Sequence, residues 1–203
     1  MTFDRSISSR VRLDRLTTVA VFAILVLVSI VLASAVFTTT GLRGLYSLFI
    51  GLGYAGAFIS GLVGTSSLMI SVCPPQIIVF VLSDPSLGLS PLLVGVTAGI
   101  GAGIGQYAHY YIGQGGRYIL PEKYRKRIDV WKPRIEKFGA ILIFLFAATP
   151  LTPDDVVWIP LGMMKYSKKK ALTASIAGKT IMLVAFSYAG YYGLNLVHSW
   201  LRM

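Results

Sequence analysis

The chain has 203 residues, 55% of them apolar and only 13% charged, against the roughly 25% charged of ordinary soluble domains. With a mean hydropathy of +0.70, its long apolar runs exceed what a soluble fold of this length could hide from water, which excludes a conventional soluble domain. The formal net charge of +11 comes from basic residues clustered between apolar runs. That is the pattern of the positive-inside rule and of anionic lipid head groups, and not the basic surface of a nucleic-acid binder.

Residues 1–15 carry Arg5, Arg10, Arg12 and Arg15 against Asp4 and Asp14, which predicts a basic cytoplasmic N-terminus. An uninterrupted apolar stretch follows from Leu16 to Phe37. Ala33-Ser34-Ala35 resembles a signal-peptide cleavage site, but the stretch exceeds an h-region of about 7–15 residues and matches the ~20 a spanning helix needs. It therefore predicts an uncleaved N-terminal transmembrane helix over 16–40. The remaining residues, 41–203, read as one membrane domain. In it, an apolar segment from Leu45 to Val63 is separated from a second, Leu68 to Leu82, by Gly64-Thr65-Ser66-Ser67. The second contains Cys73-Pro74-Pro75-Gln76, and paired prolines cannot sit inside a straight helix. Cys73 is the one cysteine, so neither an internal disulfide nor a multi-thiolate metal site is expected. A further helix is predicted over Leu92–Ile112. The segment 117–137 is strongly basic, and Ile128, Trp131 and Ile135 recur in it at helical spacing, which suggests an amphipathic helix on the cytoplasmic surface. Phe138–Ala148 is apolar and leads into Thr149-Pro150-Leu151-Thr152-Pro153-Asp154-Asp155. A short apolar piece, Val156–Met164, precedes Lys165 and Lys168-Lys169-Lys170, and the last helix is expected over Ala171–Val197.

Counting crossings constrains the topology. If Leu45–Val63 were a full span and Leu68–Leu82 a hairpin, the basic segment 117–137 would fall outside, against the positive-inside rule. If Leu45–Leu82 instead dips in and returns, the segment falls inside, and Phe138–Met164 dips in from the cytoplasm by the same logic. In hydrocarbon such broken helices are tolerated where they are buried in protein or line a cavity. Three short matches recur in order: Gly56-Ala57-Phe58-Ile59 with Gly139-Ala140-Ile141-Leu142, Pro74-Pro75-Gln76-Ile77-Ile78 with Pro153-Asp154-Asp155-Val156-Val157, and Tyr107-Ala108-His109-Tyr110-Tyr111 with Tyr188-Ala189-Gly190-Tyr191-Tyr192. The expected fold is thus an all-α polytopic membrane protein: an inverted repeat of a re-entrant helical hairpin plus a transmembrane helix, after the N-terminal helix. The first repeat would cover about 45–116 and the second about 138–198. Pro74, Pro75, Pro150, Pro153 and Pro160 would be the helix breakers of the hairpin tips.

Asp154 and Asp155 are the sharpest chemical signal. A charge near mid-bilayer costs at least about 2.5–3.5 kcal/mol, and two adjacent carboxylates resist joint ionisation. Such a pair could bind and release a proton as a substrate passes; alternatively, Asp154 simply caps the half-helix beginning at Asp155. Lys179 lies about nine residues beyond Lys170, roughly 14 Å into the last helix, where a lysine needs a partner. Asp154 and Asp155 are the expected ones, and the same cation could receive an anionic head group. The corresponding polar set of the first repeat is uncharged: Ser66, Ser67, Ser71 and Gln76, with Gln106 and His109 on the third helix and Asp84 at the outer end of the hairpin. His109 reads either as a hydrogen-bonded packing residue or as a proton relay. Gly95, Gly99, Gly101, Gly103 and Gly105 fit neither the Walker nor the dinucleotide pattern, and point to close helix–helix approach. No zinc-protease pair, nucleophile elbow or cysteine–histidine partner is present, so no enzyme activity and no cofactor or metal is expected.

The stretch Ala147-Ala148-Thr149-Pro150-Leu151-Thr152-Pro153-Asp154-Asp155, with Ile159-Pro160-Leu161-Gly162-Met163-Met164, Tyr166-Ser167, Ala177-Gly178-Lys179 and Gly113 through Arg117, resembles the DedA family, whose members carry the VTT or SNARE-associated domain. The resemblance covers roughly residues 45–195. It implies a lipid translocator (a flippase or scramblase) with two opposed re-entrant hairpins, moving polyprenyl phosphates or phospholipids between leaflets, in some members with protons as the coupling ion. Many bacterial members carry acidic residues in the first hairpin, where this chain has Ser67 and Gln76, and arginines in the second, where it has Asp154 and Asp155. The expectation is a multi-pass protein of the plasma or inner membrane that moves an anionic lipid through a site centred on Asp154, Asp155 and Lys179, with membrane lipids as its partners. A small-solute or ion transporter on the same scaffold, and a non-transporting assembly factor, are the alternatives.

Overall fold

The computed structural model describes residues 39–66, 74–150 and 155–201, and these are helical apart from short connections, with no strand among them. The helices are α1 (Thr39–Gly51), α2 (Tyr54–Ser66), α3 (Pro75–Leu82), α4 (Pro91–Gly105), α5 (Tyr107–Ile119), α6 (Glu122–Ala148), α7 (Asp155–Met163) and α8 (Lys168–Leu201), with a 3₁₀ turn at Pro85–Leu87. The basic N-terminus and the expected N-terminal helix fall outside the described residues, but for the last residues of 16–40.

Several boundaries differ from the sequence expectation. The apolar run Leu45–Val63 is two helices, because Gly53 has φ +56°, a left-handed value that glycine adopts without the cost a Cβ would impose. The helix expected at Leu92–Ile112 starts with Pro91 in its first turn, where the missing N–H costs nothing. It runs on to Ile119, with one irregularity at Gln106. From Glu122 on, the basic segment and Phe138–Ala148 are not separate pieces; they form the single 27-residue helix α6 with Pro133 inside it. That proline is exposed, so the carbonyl it leaves unpaired can be solvated. Pro160 likewise lies within α7 rather than at a tip, which corrects its reading as a helix breaker. Pro74 and Pro75 mark the start of α3, and Pro150 directly follows the C-cap residue of α6, Thr149. Pro153 lies outside the described residues.

The 34-residue α8 is the one helix among the described residues long and apolar enough to cross a membrane. At 1.5 Å per residue it is about 51 Å long, more than the ~30 Å of hydrocarbon in a bilayer. Helix α4 packs between α8 and α2. Gly95, Gly99 and Gly103 lie against Val184, Thr180 and Ile176 of α8, so the two helices are antiparallel. Gly101 and Gly105 meet the carbonyls of Phe58 and Leu62 on α2. A Cβ at any of these positions would run into neighbouring backbone, so the glycines do serve close helix approach. Ile141, Leu145 and Ile181 are exposed while Gln106, His109, Ser175, Lys179 and Ser187 are buried. Apolar side chains outside and polar ones inside are what lipid, rather than water, selects.

Candidate functional site

Two helix ends arrive at the α4–α8 crossing. In the last turn of α2, Thr65 Oγ1 donates to the carbonyls of Gly61 and Ala102, both at 2.8 Å. Ser66 Oγ donates to Leu62 at 2.5 Å and reaches the Gly105 carbonyl at 3.4 Å. The contact pairs ascend together in both helices, so α2 runs parallel to α4. On the other side, Gly139 of α6 lies against Tyr166, just before α8, and Gly178 of α8 lies against Phe144, Ala147 and Ala148 at the end of α6. Helix α6 is therefore parallel to α8. Because α4 and α8 are antiparallel, α2 and α6 approach the crossing from opposite ends of the bundle.

Between these ends lies a buried polar cluster. Gln106, at the irregularity between α4 and α5, is 1% exposed. Its Oε1 accepts from Ser175 Oγ at 2.7 Å and from Trp158 Nε1 at 3.3 Å, joining α4, α7 and α8 at one atom. Lys179 follows Ser175 by one turn and is only 6% exposed. The C-terminal end of α6, which carries the negative end of the helix dipole, lies beside the adjacent Gly178 and favours a cation there. His109 is fully buried in α5, nearly one turn past Gln106. Gln76 is the second residue of α3 and half-buried. Asp155 is the first residue of α7; its side chain, like Ser67 and Asp154 as a whole, lies outside what is described, and so does the expected Lys179–carboxylate pairing. Lys179 and Gln106 thus belong to one locality. Trp158 and Ser175 were not singled out in the sequence. The signal available was an indole in an apolar run, which needs an acceptor for its N–H when buried, and a serine four residues before the intramembrane lysine.

Near the start of α6, helices α5, α6 and α7 are clamped together. Arg117 at the end of α5 forms a two-pronged ion pair with Asp129 of α6, both bonds 2.9 Å, and donates to the Met163 carbonyl of α7 at 2.8 Å. The Arg117 hydrogen bond holds the Asp129 carboxyl below the usual range, against a little desolvation. Lys168 lies 4.8 Å from the Tyr111 ring centre, within cation–π range.

The family model for the VTT domain matches residues 73–192. The chain belongs to the VTT-domain family. This is the DedA and SNARE-associated domain, and here it takes in everything from α3 to the tyrosine-rich part of α8, including the whole polar cluster around Gln106 and Lys179. Comparison with curated proteins and with solved structures gives no match. Family, candidate spanning helix and lipid-type side-chain distribution agree on a membrane protein.

Proposed function

We propose that this VTT-domain protein translocates an anionic lipid, such as a phospholipid or a polyprenyl phosphate, between bilayer leaflets, and does so as a transporter without enzymatic chemistry. The observation that carries the reading is the convergence of two oppositely directed helix ends on a buried lysine and glutamine. Breaks in helices are acceptable in a membrane where they border a binding cavity, and a buried cation in such a place suits a phosphate head group.

An inverted repeat of re-entrant hairpins is the architecture this reading uses. The packing is consistent with it: α2 lies on α4 as α6 lies on α8, and α3 contacts α8 as α7 contacts α5. In the proposed orientation the basic part of α6 and the run Lys168–Lys170 face the cytoplasm, and the protein sits in the plasma or inner membrane with its N-terminus inside. Lys179 would receive the head group, Gln106 and Ser175 would hold the site polar, and Asp154 or Asp155 would carry the coupling proton.

The test is redistribution of labelled phospholipid and labelled polyprenyl phosphate in proteoliposomes, with and without a pH gradient. Wild type should move at least one of them, and Asp154→Asn/Asp155→Asn should abolish the dependence on the gradient. If correctly inserted protein moves neither lipid, the lipid reading is wrong, and solute uptake or ion currents on the same vesicles would identify a small-solute transporter.

A further inference from the structure

Helix α8 begins in Lys168-Lys169-Lys170 and is much less basic over its second half. Residues 83–91 and 188–203 contain one carboxylate, Asp84, one imidazole, His198, and a single arginine, Arg202, at the chain end. The loop between α3 and α4, together with Tyr54 of α2 and Tyr188 and Tyr191 of α8, lines an open cavity of about 510 Å³, whose walls also include Pro85 and Leu89. That is within the size range of small-molecule sites.

The walls are built in advance. The Tyr54 hydroxyl accepts the Ser90 N–H at 2.9 Å, which ties α2 to the rim. Tyr192 braces the other two rings, edge-on to Tyr191 with centroids 5.4 Å apart and stacked on Tyr188 at 6.2 Å. Asp84, next to the cavity-lining Pro85, accepts from the Ser86 N–H at 2.8 Å, and its other oxygen lies 3.7 Å from His198 Nε2. Partial burial pushes this carboxyl up, but the Ser86 backbone and side chain and the His198 charge outweigh it and hold it below the ordinary value. It is an anion at neutral pH.

Aromatic faces, with a carboxylate one residue from the cavity wall, attract a diffuse positive charge. We propose that this cavity binds an alkylammonium cation of the trimethylammonium type, as a lipid head group or as the free ion. The site does not depend on the translocation reading: it lies away from the Gln106–Lys179 cluster and takes a ligand of opposite charge.

The experiment uses the full chain in maltoside detergent and reads saturation transfer to N-methyl protons, titrated to give Kd. The probes are tetramethylammonium chloride and short-chain phosphatidylcholine, with short-chain phosphatidylglycerol as competitor. Saturable transfer to either probe, undisturbed by phosphatidylglycerol, is the expected result. Binding of tetramethylammonium alone would identify the free ion as sufficient, and binding only of phosphatidylcholine would identify the lipid head group. Tyr188→Leu/Tyr191→Leu should weaken binding about tenfold or more, whereas Tyr188→Phe/Tyr191→Phe should retain it and shows that the fold tolerates change there. Asp84→Asn should weaken it about threefold. Absence of saturable transfer, equal competition by phosphatidylglycerol, or leucine variants that bind like wild type would overturn the proposal.

Discussion

The arms α2 and α6 reach the same helix crossing but are held differently. The tip of α2 is bonded to α4 through the hydroxyls of Thr65 and Ser66. In α6 a charged clamp lies near the base, where Asp129 joins Arg117, while the tip lies against Gly178 of α8 and the Thr149 hydroxyl bonds Leu145 and Phe146 of its own helix. The α2 tip is tied to its neighbour by side-chain hydroxyls, and the α6 tip by close packing on a glycine. The charged residues, Lys179 beside the end of α6 and Asp155 at the start of α7, fall with the second. On the proposed translocation reading, the uncharged α2 side would be the static wall and the charged α6 side the working wall, both seated on the α4–α8 contact.

Breaking that seat should have the largest effect. Gly103→Leu would drive a side chain into the backbone of Ile176, and no folded, monodisperse protein is expected in detergent. Gly103→Ala should already cost about 1–3 kcal/mol. Gly44→Ala, in α1 where a Cβ meets nothing, should instead stabilise by about 0.5–1 kcal/mol. Gel filtration of Gly103→Leu and thermal unfolding of the two alanine variants measure this directly.

Next in size is the charge on the second side. Lys179→Met should leave Tm near wild type or above it, since an apolar side chain removes the cost of a buried cation. Lipid translocation should nevertheless fall more than tenfold. If Lys179→Met transports normally, the working-wall idea fails even though the fold stands.

Gln106 belongs to both sides. Gln106→Leu leaves Trp158 Nε1–H and the Ser175 hydroxyl without their acceptor, and should cost about 1–3 kcal/mol. Thr65→Val removes a single hydroxyl–carbonyl tie of the fixed wall, for which about 0.6 kcal/mol is the typical membrane value. Equal losses in a chemical unfolding series would show that the polar cluster is no more than another tie.

How much of this was legible in the sequence depended on range. Hydropathy and the family motif identified an all-helical membrane protein, and the four-residue spacing of Gly95, Gly99 and Gly103 announced a close helix contact. Lys179 was legible because a lysine so deep in an apolar helix is costly. The break at Gly53 was not, since a glycine in an apolar run looks the same whether its φ is positive or helical. Nor was the continuity of α6: the change from basic to apolar at Phe138 marks a change of surroundings, and the backbone hydrogen bonds run through it regardless. Trp158 and Ser175 join Gln106 only across 52 and 69 residues of chain, a separation at which local pattern carries no information.

The smallest predicted effect concerns the base of the second arm. The folded-state pKa of Asp129 is depressed by Arg117, so the stability it contributes is present above its unfolded value, about 3.9. That stability is lost as pH falls through the lower folded value. Asp129→Asn should therefore lower Tm at neutral pH by a few degrees at most, about 2–4 °C. The gap to wild type should close as pH drops below about 4. Added salt should narrow it as well, because the pair is exposed and screened. Arg117 keeps its bond to the Met163 carbonyl in the variant, so the arm loosens at α6 alone. If the variant then moves lipid faster than wild type, the clamp restrains a moving arm. An unchanged rate alongside the lower Tm would make it a surface fastening with no part in transport.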